Sequence, residues 1–238
     1  MTIQEYFGDW AKVINLKEAD SILRRLSHDN AVICPRIKDI FKAFHLCPLQ
    51  SLRVVILGQD PYPTLKTTVL DGSSSIAQVA TGIAFANSSD TLPSEYSSSL
   101  KVLRESVIDY SVPHESINFD PSLEKWEAQG VLMLNSALSC VAGKIGSHTL
   151  LWRPFIKSLL IKLSMCHTGI VYVLMGTAAQ SFDECICRKS NYVIHIRHPS
   201  WYARTNQKMP SEIWKEINSI LIGLNGYGIE WYQENNNH

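Results

Sequence analysis

The sequence predicts an α/β protein, a three-layer α/β/α sandwich around a short, mainly parallel central sheet. An apolar, β-branched run over 53–57 stops abruptly at Gly58-Gln59-Asp60-Pro61-Tyr62-Pro63, as a buried parallel strand does on entering a constrained loop. Strand-like and helix-like segments then alternate, the pattern of a parallel sheet covered on both faces. Each strand-like segment also ends on polar residues, and a parallel sheet gathers such ends along one edge.

The elements follow in order. A helical region over 3–25 and a second over 35–44 precede the first strand at 53–57. The Ser/Thr-rich stretch 64–81 reads as a loop, because its TVLDGSSS core carries no periodic apolar face. Leu100, Leu103 and Val107 recur at helical spacing within 94–110. A second strand at 131–134 leads through a polar loop to a long helix over 150–166. Strands at 170–174 and 192–196 follow, and a capped helix over 211–224 closes the pattern. With no internal repeat and no linker, one domain over 1–238 is expected, with a helical region at 1–50 and an α/β core at 51–238.

At 238 residues and 45% hydrophobic content the chain can bury a sizeable core. Its 22 basic and 22 acidic residues cancel, so any nucleic-acid binding has to rest on a local patch and on backbone amides. No apolar run is long enough to span a bilayer, and no signal-peptide pattern opens the chain, so no membrane partner is expected. The six cysteines show no paired CxxC spacing; Cys140 reads as a buried thiol, and Cys185 with Cys187 as a weak metal candidate at most. A reduced, intracellular protein is expected, cytoplasmic in a bacterial or viral setting and nuclear in a eukaryotic one. GQDPYP lacks the lysine and glycine spacing of a P-loop, so no nucleotide cofactor is expected.

The strand ends carry the chemistry: Gln59 and Asp60 after the first, Asn135 and Ser136 after the second, Gly176 and Thr177 after the third, His198 and Ser200 after the fourth. Each has an ordinary explanation as a turn or loop residue. Four such ends on one sheet edge make one cleft, with Asp60, Asn135 and His198 converging.

These residues carry a resemblance. The chain resembles the family 1 uracil-DNA glycosylases, in GQDPYP, in KDIFKAF before the first strand, and in TGIAFANSS at 81–89. The likeness continues through LPSEY at 92–96, WEAQGVLMLNSALSCVAGKIGSH at 126–148, VLMGTAAQ at 173–180 and HPS at 198–200. The resemblance implies a monofunctional hydrolase that flips uracil out of DNA and cuts its glycosidic bond, with no metal. Asp60 is then the group that positions water and favours the oxocarbenium-like sugar, and His198 the neutral donor to O2 of the leaving base. Asn135 reads the base edge, Phe85 stacks on the flipped ring, Tyr62 stands against C5, and Gln59 adds contacts near O2. Ser94, His148, Gly176, Thr177 and Ser200 resemble the family's DNA-backbone contacts. The implied partner is DNA, single- or double-stranded, bound by a monomer, with any repair or replication partner unidentified.

The chain also departs from the family. Pro63 replaces the usual histidine after DPY, and the 64–80 connection is longer than usual. After HPS, the usual Pro-Leu gives way to Trp201-Tyr202-Ala203-Arg204, where Tyr202 is the positional match for the wedge that enters the vacated base stack; Trp201 and Arg204 join it as DNA contacts. These departures leave two alternatives: a glycosylase for another, modified pyrimidine in foreign DNA, or a glycosylase-like DNA-binding subunit that tethers a second protein.

Overall fold

The computed structural model describes residues 2–70, 73–111 and 117–234. Among them the central sheet has four parallel strands. In chain order the principal strands are β1 (Val54–Gly58), β2 (Leu65–Leu70), β3 (Ser73–Gln78), β4 (Val131–Asn135), β5 (Val171–Met175) and β6 (Tyr192–Ile196). The principal helices are α1 (Leu16–Ser27), α2 (Ser98–Tyr110), α3 (Thr149–Cys166), α4 (Pro199–Thr205) and α5 (Glu212–Asn225). The sheet order is β4-β1-β5-β6, so the chain moves outward from β1 in both directions. That reversal opens a crevice at the carboxyl ends of β1 and its neighbours. Gly58 lies opposite Asn135 and Leu57 opposite both Leu134 and Leu174, which brings the strand ends level.

Alternation along the strands builds two apolar layers. Val55, Leu57, Leu132, Leu134, Tyr172 and Leu174 face α3 and the N-terminal helices. Val54, Ile56, Val131, Met133, Val171 and Val173 face α2 and α5, where Trp214 is fully buried. The three-layer α/β/α expectation holds.

Several boundaries differ from the sequence reading. The region 3–25 is broken: a helix over Ile3–Phe7 ends at Gly8 (φ 53°), a 3-10 turn follows, and α1 restarts with Asn15 accepting from the Glu18 N–H. The segment 35–44 is a 3-10 turn at Ile37–Asp39 and a helix at Lys42–Leu46. Ser94 lies in a separate 3-10 turn, Pro93–Glu95, and α2 starts only at Ser98. Ser211 does not cap α5; its own backbone is helical and its side chain accepts no hydrogen bond.

The largest correction concerns 64–81, which is a β-ribbon. β2 and β3 pair antiparallel from Leu65↔Gln78 to Leu70↔Ser73, leaving a two-residue connection, Asp71-Gly72, that lies outside the described residues. Asp-Gly between β-capable runs is a strong hairpin signal, and it outweighs the missing apolar face.

A buried carboxyl supports β4. Glu127 is 0% exposed, and its Oε1 accepts from the Met133 N–H at 2.9 Å while Oε2 has no partner. Burial raises its pKa well above the ordinary glutamate value and so favours the protonated, neutral form. A raised folded pKa contributes stability below the unfolded pKa and loses it as pH rises. Glu127→Gln keeps the acceptor and removes the titration. Its Tm relative to the parent should therefore climb as pH rises above the ordinary carboxylate range; a difference that stays constant with pH would show that Glu127 is not held neutral.

Candidate active site

The loop after β1 is pinned at three of its carbonyls. Gln59 O accepts from the Ala137 N–H (3.0 Å) and from Ser136 Oγ (3.0 Å), Pro63 O accepts from the Gly143 N–H (2.9 Å), and Cys140 Sγ reaches Pro61 O at 3.5 Å. Asp60 is thus held by a rigid frame. Both of its carboxyl oxygens are enclosed without a hydrogen-bond partner. Desolvation raises its pKa; the Gln59 side chain and the Gly146 amide oppose that shift from outside good hydrogen-bond geometry. A buried carboxyl with no partner is costly in a purely structural role and marks a functional position.

Beside Asp60, Tyr62, Phe85 and Asn135 line one small cavity with Pro61, Thr81 and Met133. Tyr62 Oη donates to Phe85 O at 2.9 Å, holding Phe85 in a left-handed conformation (φ 65°) that a bulky side chain seldom adopts. Burial raises the Tyr62 pKa, so the phenol keeps the proton it donates. Asn135 is buried at the end of β4. Gly58 lies beneath both: a Cβ there would come 2.7 Å from Phe85 Cζ and 2.8 Å from Asn135 Oδ1. The cavity measures about 10 Å³, room for roughly one water, so a pyrimidine enters only when its walls part.

His198 comes from the other side, and its ring centroid lies 5.5 Å from that of Phe85. It caps α4: Nδ1 accepts from the Ser200 N–H at 3.2 Å, with Ser200 Oγ 2.9 Å away. An accepting Nδ1 puts the proton of the neutral ring on Nε2, which is left as a donor. Burial first, and the Arg204 charge second, lower the His198 pKa to about 4. Gly176 (φ 86°) makes room for this histidine, since a Cβ there would lie 2.7 Å from His198 Cβ.

His198 also borders an open groove of about 460 Å³ lined by Gln59, Thr177, Arg197, Ser200, Trp201 and Arg204, with Gly176 and Gln180 at its floor. The Arg197 guanidinium lies 4.1 Å over the Trp201 ring. Tyr202, the expected wedge, is 7% exposed and packed in the core beneath α2 and α5. The helical phase set by the His198 cap turns Tyr202 inward, and Trp201 is the aromatic residue of α4 beside the groove.

Two expected DNA contacts line neither space. Ser94 is exposed, and its carbonyl accepts from Lys101 Nζ at 2.8 Å. His148 is 8% exposed, with Nδ1 2.9 Å from Ser139 Oγ, which also accepts from Trp152 Nε1. Arg197, Gln180, Gly58 and Gly146 are the neighbours that sequence reasoning missed. Gly58 carried a signal, since a glycine inside a strand marks close approach of another group.

Another cavity, of about 550 Å³, lies elsewhere, between Tyr110 and 229–234, and holds none of the residues that follow the strand ends. Among the described residues no group of three or more His, Cys, Asp or Glu side chains is placed to hold a metal, and no helix is long and apolar enough to cross a membrane.

Comparison with known proteins bears on this geometry. A family model described as the uracil DNA glycosylase superfamily matches residues 44–222. A uracil-DNA glycosylase of Mycoplasmopsis pulmonis is 31% identical over 206 residues, covering 86% of this chain and 85% of its own. That of Campylobacter lari is 32% identical over 206 residues, covering 86% and 82%. Among solved structures, mimivirus uracil-DNA glycosylase matches with a TM-score of 0.70 at 22% identity, covering 97% of this chain and 93% of its own. A mimivirus UNG variant in complex with UGI matches with a TM-score of 0.77 at 22% identity, covering 97% and 88%. At such identities the structural likeness speaks for the fold.

Proposed function

The chain belongs to the uracil DNA glycosylase superfamily, and on that premise we infer that it is a DNA N-glycosylase hydrolysing the bond between a flipped-out uracil and its deoxyribose. The product is an abasic site, the first intermediate of base-excision repair. The observation that carries the reading is the enclosed, unpartnered Asp60 carboxyl in a loop whose Tyr62 lines one cavity with Phe85 and Asn135, with a neutral His198 ring packed near Phe85.

Breaking the glycosidic bond leaves positive charge on the sugar and negative charge on the base, and fixed groups in a dry pocket stabilise both. Asp60, ionised, orients the attacking water and faces the developing cation. His198 Nε2–H donates to O2 of the departing anion; the low pKa keeps the ring neutral, and a neutral imidazole is too weak an acid to hand that proton to the base. The Asn135 amide donates to O4 and accepts from N3–H. Cytosine presents the opposite pattern, so a mispaired buried amide rejects it. Phe85 stacks on the ring, and Tyr62 stands against C5, where a thymine methyl would clash. Gln59 adds contacts near O2. Closure of the narrow cavity on the base excludes water from the bond being cut.

Flipping the base costs a few kcal/mol, which phosphate contacts offset without a basic protein. Gly176, Thr177, Ser200, Trp201 and Arg204 line the groove that takes the DNA backbone, with Arg197 added by the structure. Ser94, exposed in its turn, and His148, hydrogen-bonded to Ser139, act as further DNA-backbone contacts outside this groove. The protein acts as a monomer, and the helices of 1–50, which share a core layer with the sheet, work with 51–238 as one unit.

The test is base release from matched oligonucleotides carrying uracil, thymine, cytosine or a modified cytosine, with chelator present. Release confined to uracil supports the reading. Release only of a modified base keeps the chemistry and overturns the substrate. No release with retained DNA binding moves the function to tethering. Within this frame Asn135→Asp should gain measurable activity on cytosine, because a protonated carboxyl presents the opposite edge; an unchanged uracil-to-cytosine ratio would remove Asn135 as the reader.

A further inference from the structure

Thr177 and Gln180, which line the groove beside His198, belong to the short helix Thr177–Gln180 that follows β5. Ser181 ends that helix. Its N–H donates to Thr177 O at 3.0 Å, so Ser181 lies one turn, about 5.4 Å, from Thr177 on the same face. Arg153 reaches this point from α3: Nη1 donates to Ser181 Oγ at 3.0 Å, and the guanidinium lies 4.8 Å over the Phe182 ring. Ser181 Oγ gives its own proton to Ala178 O at 2.7 Å, which fixes it as the acceptor for Arg153.

Arg153 is in the first turns of α3, the helix that follows β4, so it stands at the same sheet edge as the strand ends. Arg153, Ser181 and Thr177 are all exposed. Stacking on Phe182 and the Ser181 bond hold the guanidinium plane while using only one of its five N–H donors. Asp183, beside Phe182 in the chain, is already taken by Arg188 at 2.6 Å and His195 at 2.8 Å. The charges that reach the adjoining Cys185 thiol are Lys157, Glu184 and Arg153, two positive against one negative. Across the groove Arg197 is arranged in the same way, over Trp201. Arg153, Arg197 and Arg204 form no ion pair among the described residues, whereas Arg24, Arg36 and Arg188 each do. A preorganised guanidinium with no carboxylate partner is suited to a phosphate. Each DNA strand carries a phosphate every 3.4 Å or so along the axis, so about one helical turn beyond Thr177 is the reach of the next phosphate or two.

We propose that Arg153 is a DNA-phosphate contact that extends the groove beside His198 over the helix Thr177–Gln180 and onto α3, engaging a phosphodiester beyond those next to the flipped nucleotide. The proposal rests on the base-excision reading above. It gives a chain with no net charge a fixed cation on the DNA track at a distance from the base pocket, whose chemistry it leaves alone.

Two variants test it. Arg153→Gln keeps a donor for Ser181 and removes the charge; Arg153→Lys keeps the charge and gives up the planar stack on Phe182. Uracil release is measured across a salt series from a duplex of about 30 base pairs, and from a trinucleotide with a central uracil, too short to reach Arg153. In Arg153→Gln, duplex kcat/KM should fall by about fivefold, and the log–log salt slope should become shallower by about 0.9, the share of one phosphate. Trinucleotide kcat/KM should stay within about twofold of the parent, and Arg153→Lys should keep the parental salt slope. A parental slope in Arg153→Gln overturns the proposal. So does an equal loss on both substrates, or an equal shallowing in both variants, because Arg153 would then be only a brace between α3 and the helix Thr177–Gln180. Should Arg153→Gln fail to fold, the slope in Arg153→Lys still decides. Failure of the underlying reading looks different: the parent enzyme then releases no uracil from either substrate.

Discussion

Asp60→Asn should lower single-turnover uracil release by about thirtyfold or more, a barrier increase of about 2 kcal/mol or more, with little change in folding. The side chains are nearly isosteric and Asp60 has no hydrogen bond to lose, so the change removes charge and little else. The pH profile separates this role from a structural one. Activity requires Asp60 ionised and His198 neutral, so both groups limit the rate on the acid side. Burial lifts Asp60 above the ordinary aspartate value and lowers His198 to about 4. The parent enzyme should therefore show an acid limb set by Asp60, above the ordinary aspartate value. In Asp60→Asn the residual activity should keep only the limb at about 4 that belongs to His198. Parental rates in the variant, or an acid limb that the substitution leaves unmoved, would falsify the assignment.

Gly58→Ala is the second large effect, and it involves no reacting group. The added methyl meets Phe85 Cζ at 2.7 Å and Asn135 Oδ1 at 2.8 Å, both closer than real Cβ contacts. The backbone has nowhere to retreat, because β1 is paired in parallel on both sides. The stacking ring and the reading amide must therefore move. A misplacement near 1 Å costs on the order of 100-fold, so kcat/KM on uracil should fall by about that factor. Overpacking should also cost about 1–3 kcal/mol of stability. Affinity for DNA lacking uracil should be unchanged, since the groove beside His198 is untouched. A variant with parental kcat/KM would mean that the pocket tolerates a shift at its floor, and would remove Phe85 and Asn135 from the close arrangement described.

The central sheet was legible because β1, β4 and β5 are short, continuous apolar runs that end in, or are followed by, glycine or asparagine, and burial on both faces favours that composition. The convergence of strand ends followed from parallel topology alone. Side-chain direction did not. Trp201 and Tyr202 are adjacent in sequence, and only the phase of a helix capped by His198 buries one and leaves the other at the groove. The β2–β3 ribbon carries no apolar periodicity in its sequence; the Asp-Gly dipeptide between two β-capable runs was the better signal. Ser94 and His148 look like phosphate ligands in sequence, yet a 3-10 turn at Pro93 and a hydrogen bond to Ser139 give them other surroundings. Arg197 escaped notice because its relation to Trp201 spans four residues that become neighbours only on a helical turn.

The parallel register distributes the proposed site among separate strands: Asp60 follows β1, Asn135 ends β4 and His198 follows β6. On the proposed roles, selectivity and bond cleavage are then separable heritable traits, because a change at the end of β4 alters the base edge that is read while the carboxylate and imidazole keep their own strands.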